Sequence, residues 1–142
     1  MAEMDPDGDD WQPVLDTLLL LKNAWPNSTW TWDARFTMMA SSFGKDSAAQ
    51  ARASIARALT YAWDTKSIAT APKTLQEICD KTGGLRAGQL VMAGRAGPLV
   101  LVGLWWPWMG GENITLRLGL GEYEVMEPPF PQVRELFGAR IA

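Results

Sequence analysis

A chain of 142 residues that is 47% hydrophobic and 20% charged has the composition of one globular domain, which excludes a disordered or fibrous protein. Glu3, Asp5, Asp7, Asp9 and Asp10 set its formal charge of −3, so residues 1–10 read as an acidic tail. Residues 11–142 read as a single domain of formal charge +2, the −3 of the chain less the −5 of the tail. A body so nearly neutral lacks the basic footprint that phosphate contacts require, which speaks against nucleic acid as a partner.

Asp9 or Asp10 can cap a first helix, with Pro13 in its first turn. Its apolar stripe is Val14, Leu15, Leu18, Leu19 and Leu21, and it stops near Trp25 and Pro26. Residues 29–38 then alternate: Trp30, Trp32, Ala34, Phe36 and Met38 on one side, Thr29, Thr31, Asp33, Arg35 and Thr37 on the other. That period predicts one long strand with one buried face, and Asp33 and Arg35 form a solvated ion pair on its wet side. After a connection through Ser41, Ser42, Phe43 and Gly44, a second helix starts near Asp46 or Ser47. It carries Ala48, Ala51, Ile55, Ala58, Leu59, Ala62 and Trp63 at helical spacing. A third, from Lys73 or Thr74 to Lys81, places Leu75, Ile78 and Cys79 on one face and stops at Gly83 and Gly84.

The period then changes, and residues 89–93, 99–106 and 113–120 read as strands joined by links of hairpin length, hence antiparallel. Residues 123–126 add a strand before Pro128 and Pro129, and 132–137 a short closing helix. The expected fold is α+β: an antiparallel sheet of four to five strands packed with about four helices, in the order α-β-α-α-β-β-β-(β)-α. The middle of that order is similar to helix-grip folds, which enclose apolar ligands.

Two of the strands do not alternate. Residues 99–106, and Leu90, Val91 and Met92 beside them, are apolar on both faces. Something must cover the second face, because apolar burial is worth roughly 25 cal/mol per Å² and a large bare patch is unusual on a monomer. The candidates are a helix of the chain itself, giving three layers, a second copy, another protein, or an apolar ligand. The same run ends in Trp105, Trp106, Pro107, Trp108 and Met109. Pro107 lacks a backbone donor and is expected to end the strand, leaving Trp108 and Met109 in a turn beside Gly110 and Gly111. Tryptophan and methionine at such a tip suit an interface centre.

The chain has no histidine and a single cysteine, Cys79, so it cannot build a Ser-His-Asp or Cys-His nucleophile, a histidine metal site or a cysteine zinc site. Residues 42–46 fail as a phosphate-binding loop: Met39 stands where the first glycine belongs, and Asp46 where Ser or Thr must hold the metal. Glycines at 94, 97, 119 and 121 do not complete a dinucleotide pattern. No cofactor or metal is expected, and Cys79 reads as a small core residue. With no secretory signature and apolar stretches short of the roughly 20 residues that span a bilayer, the expectation is a soluble cytoplasmic protein without a transmembrane segment. The leading function is a non-catalytic interaction domain that binds a protein partner, or itself as a homodimer, through Trp105, Trp106, Trp108 and Met109. The alternative is a binder of an apolar small molecule or lipid between sheet and helices.

Overall fold

The computed structural model describes residues 12–26, 29–33, 38–96, 99–108, 110–120 and 140–141. Its elements run α1 (Gln12–Ala24), β1 (Thr31–Asp33), β2 (Met38–Gly44), α2 (Ala48–Ala56), β3 (Tyr61–Trp63), α3 (Lys73–Lys81), β4 (Leu90–Ala96), β5 (Leu99–Trp108), β6 (Asn113–Leu120) and β7 (Arg140–Ile141). The strands form one sheet in the order β3-β4-β5-β6-β2-β1-β7. All its pairs are antiparallel except β1 with β7, which is parallel. The α+β class is as expected; the sheet is wider, and three α-helices rather than four lie among the described residues. The strand expected at 123–126, the helix at 132–137 and the acidic tail fall outside them.

Three sequence expectations are corrected. The long strand at 29–38 is the start of a hairpin. Trp30 and Trp32 face the core as the alternation required, but Met38 pairs with Asp33 and sits on the opposite face. Ser41 to Gly44 belong to β2, paired with β6, instead of forming a connection. The two serines are accommodated because each finds a partner: Ser41 Oγ accepts from the indole N–H of Trp25 at 3.0 Å, and Ser42 Oγ lies 2.7 Å from Thr115 Oγ1. The second helix ends at Ala56, with Ala58 and Leu59 amides donating to the Ile55 carbonyl. Beyond it Tyr61, Ala62 and Trp63 leave helical geometry to pair with Ala93, Met92 and Val91, where aromatic residues suit a pleated edge better than a helix end. A strand thus separates the two helices, and those helices lie on opposite sides of the sheet, so the helix-grip order is not kept.

Both faces are covered, and the cover is the chain itself. On one face α1 and α2 bring Leu18, Leu21, Ala51 and Ile55 onto Trp30, Trp32, Met39, Phe43, Met92, Leu101, Trp105, Leu116 and Leu118. On the other, α3 and the turn before it bring Ala71, Leu75 and Cys79 onto Val91, Ala93, Val102 and Leu104. The three-layer solution therefore accounts for the two-sided apolar strands of β4 and β5. Helix α3 is the element best foreseen: it stops where expected. Gly84 N–H reaches back to the Cys79 carbonyl (2.7 Å) and Gly83 N–H to that of Asp80 (3.3 Å), with both glycines at positive φ, the left-handed stop that glycine makes cheap. In α1 the stripe is narrower than expected. Leu18 and Leu21 point inward, whereas Leu19 and Leu20 are exposed, since four consecutive leucines cannot share one side of a 3.6-residue repeat.

At Gly94 the two layers meet backbone on backbone. A Cβ built at Gly94 of β4 would sit 1.8 Å from the Ala58 carbonyl oxygen, so the bare glycine lets the chain leaving α2 lie directly on the sheet. None of the helices among the described residues is long and apolar enough to cross a membrane.

Candidate interaction surface

The four residues expected to make contact are divided by the pleat. Trp105 pairs with Leu116 and points to the α1–α2 face. It is 6% exposed, its ring 5.5 Å from Phe43 with the Arg52 guanidinium 5.4 Å from its centroid. Trp25 stands 5.3 Å from Trp30 and 5.2 Å from Phe43, so aromatic rings fill the layer between sheet and helices by mutual packing. Trp106 and Trp108 lie on the other face, Trp106 packed against the α3-side core and Trp108 exposed. Met109 falls outside the described residues.

Pro107 does not end β5. The strand continues through it, with Pro107 opposite Ile114 and Trp108 opposite Asn113. The reason is local: β4 begins at Leu90, opposite Trp105, so beyond that point one edge of β5 has no ladder partner in β4, and a residue without an N–H is tolerated there. The turn comes later, through Gly110 and Gly111, both at positive φ, with the Gly111 N–H bonded to the Trp108 carbonyl.

Continuation of the strand places Trp108 on the sheet surface rather than in a loop. Its indole N–H donates to Thr115 Oγ1 at 3.0 Å, diagonally across β6, and Thr115 Oγ1 is within 2.7 Å of Ser42 Oγ on β2. A row of three side chains on three strands therefore holds a ring that is still 45% exposed. At the same sheet end Lys45 and Glu112 form an exposed ion pair at 3.0 Å. Trp106, half-buried, carries the Arg117 guanidinium 4.7 Å above its ring. Arg117 Nε in turn meets Asp33 Oδ2 at 3.2 Å, reaching from β6 across β2 where the small Ala40 is its register partner. Asp33 thus takes its charge partner from two strands away, while Arg35 lies outside the described residues. The surface is an aromatic centre with a hydroxyl and charged rim.

Ser42, Thr115 and Arg117, which position the two tryptophans, were not singled out from sequence. The signal was present in the alternation of 113–120, which sets Thr115 and Arg117 on the polar side; what was missing was the neighbour to which that side belongs. Elsewhere, Cys79 is buried on the inner side of α3, and burial, with Asp80 beside it, pushes its thiol up from the usual range. Among the described residues no group of three or more His, Cys, Asp or Glu side chains could hold a metal ion. Comparison of the chain with protein-family models, with curated proteins and with solved structures finds no match.

Proposed function

We propose that this chain is a non-catalytic protein-interaction module whose contact surface is the sheet end built around Trp108, with Trp106 and the Arg117 guanidinium beside it. The observation that carries the reading is a tryptophan nearly half exposed yet fixed by a side-chain hydrogen bond. A pre-fixed aromatic loses little conformational freedom on association, which is why such residues dominate interface energetics. The apolar second face of β4 and β5 no longer supports the reading, because α3 covers it; the weight moves to Trp108. Absence of histidine and a buried, proton-retaining Cys79 thiol fit a module without catalysis. The alternative, an apolar ligand between sheet and helices, draws less support on the α1–α2 side, where aromatic rings occupy that layer.

A second copy of the chain is the first partner to test. Native mass spectrometry across a concentration series is expected to show a dimer, and Trp108→Ala to weaken it by about 30-fold or more, the effect of losing a central interface tryptophan. A photo-cross-linking residue at position 108 extends the test to other proteins in the source cells. If Trp108→Ala leaves dimerisation unchanged and position 108 cross-links to nothing, the surface is not an interface.

A further inference from the structure

A different part of the sheet, the edge formed by β3, carries its own set of features. Strand β3 is the outermost strand on its side of the sheet, and no strand among the described residues pairs with its outer edge. Its side chains are unguarded: Tyr61 is 64% exposed, Ala62 is exposed, and neither proline nor a charged residue interrupts the three positions. Edge strands are usually guarded by charge, proline or shortness, because a row of free amides and carbonyls is a template for another strand; β3, three residues long, has only the last of these. Tyr61 and Trp63 stack at 6.2 Å with planes 20° apart. Together with Leu75 of α3 and Val100 of β5 they wall a surface cavity of about 190 Å³. A cavity near 150 Å³ already holds a benzene ring, so this one has room for one large apolar side chain.

The one charged side chain that lines this cavity is basic, Arg95. Thr74 lines it as well, Lys73 stands between Pro72 and Thr74 at the start of α3, and Lys66 lies in the turn that leaves β3. Across residues 61–96, from β3 to the end of β4, there are five basic and three acidic side chains, in a chain whose total is −3. Asp64, next to Trp63, stays ionised and turns to its own loop: its carboxylate accepts from the Lys66 and Ser67 amides and the Ser67 hydroxyl, at 2.9–3.0 Å, which holds its pKa below the usual value.

From this juxtaposition of free strand edge, apolar cavity and the Arg95 guanidinium that lines it, in a stretch of net positive charge, we infer that β3 receives an extended acidic peptide. It adds as an eighth strand, seats one large apolar side chain between Trp63 and Leu75, and sets carboxylates against Arg95 and Lys73. Strand addition supplies the affinity through main-chain hydrogen bonds, and the cavity supplies the selectivity. This site does not depend on the Trp108 surface: Val100 and Trp108 are eight residues apart along β5, roughly 26 Å.

The test uses the whole chain and six fluorescein-labelled eight-residue peptides. Each alternates glutamate with valine and carries Val, Ile, Leu, Phe, Tyr or Trp at one central apolar position. At least one peptide is expected to saturate below about 1 mM by fluorescence anisotropy, and its lysine-for-glutamate counterpart to fail. Arg95→Glu and Tyr61→Ala, both at exposed positions, are each expected to weaken binding about tenfold, with Trp108→Ala unchanged. Methylating alternate peptide amides is the readout specific to strand addition: one alternate set abolishes binding and the other does not. Absence of binding by all six peptides, equal binding of the basic versions, or equal tolerance of both methylation sets overturns the inference; the last result would point to a small apolar acid in the cavity instead.

Discussion

Trp105 and Trp106 are adjacent in sequence and share a residue type, yet they meet different surroundings. On the α1–α2 side of β5 the layer is thick and aromatic: Trp105 packs on Phe43, which meets Trp25 and through it Trp30, and is capped by Arg52. On the α3 side the layer is built from smaller residues, Val91, Ala93, Val102 and Leu104 beneath Leu75 and Cys79. It gives way along β5 to Trp106 under Arg117 and then to Trp108 in solvent. The pleat decides which side a residue faces; the extent of the helix above decides whether that side is core or surface. Helix α3, nine residues long, covers only part of what α1 and α2 cover opposite.

The comparison is broken most severely by removing the rings in turn. Trp105→Ala is expected to cost about 3–5 kcal/mol in urea unfolding, the range for a large aromatic lost from a packed core. Trp108→Ala is expected within about 0.5 kcal/mol, as for other exposed positions, with Trp106→Ala between them. Equal costs at 105 and 108 would show that the two sides do not differ as described.

Glycine substitutions probe the same difference more gently. Gly94→Ala meets the Ala58 carbonyl, which is backbone and cannot rotate away, and is expected to cost about 3 kcal/mol. Gly119→Ala, on the α3 side, meets Met38 Cγ at 2.8 Å, a flexible side chain able to move aside, and is expected to cost about 1 kcal/mol or less. Thiol chemistry isolates the α3 layer: native Cys79 is expected to alkylate at least about tenfold more slowly than in the unfolded chain, since its thiol is both buried and proton-retaining.

The smallest effect concerns Asp64. Its folded pKa lies below the usual 3.8 because the Ser67 and Lys66 amides and the Ser67 hydroxyl stabilise the carboxylate. The stabilising contribution is therefore present above the unfolded pKa and lost as pH falls through the folded one. The stability difference between the chain and its Asp64→Asn variant is expected to shrink as pH drops below about 4, and a carboxyl titration by NMR gives the direction of the shift independently.

Much of this was legible in the residues. The alternation of 113–120, the glycine stop of α3 and the burial of Trp30 and Trp32 follow from local pattern, and they came out as read. What was not legible depended on partners distant in sequence. The serines of β2 look like a connection until Trp25 and Thr115 arrive to satisfy them. Tyr61 to Trp63 look helical until β4 offers an edge. Pro107 looks like a strand end until β4 is seen to begin opposite Trp105. At the contact surface, the tryptophans were evident from composition, but their division between core and solvent required knowing how far α3 reaches.

One further consequence follows from the end of α1. The Ala24 carbonyl, which a helix of this kind leaves without an internal partner, accepts the Ser54 hydroxyl at 2.7 Å and the Gln50 side-chain amide at 3.4 Å, both from α2. Opening α2 therefore strips the last turn of α1 of its partners, so the amide protons of the two helices should exchange with solvent as one cooperative unit. Helix α3, which closes itself through Gly83 and Gly84, is free to open on its own schedule.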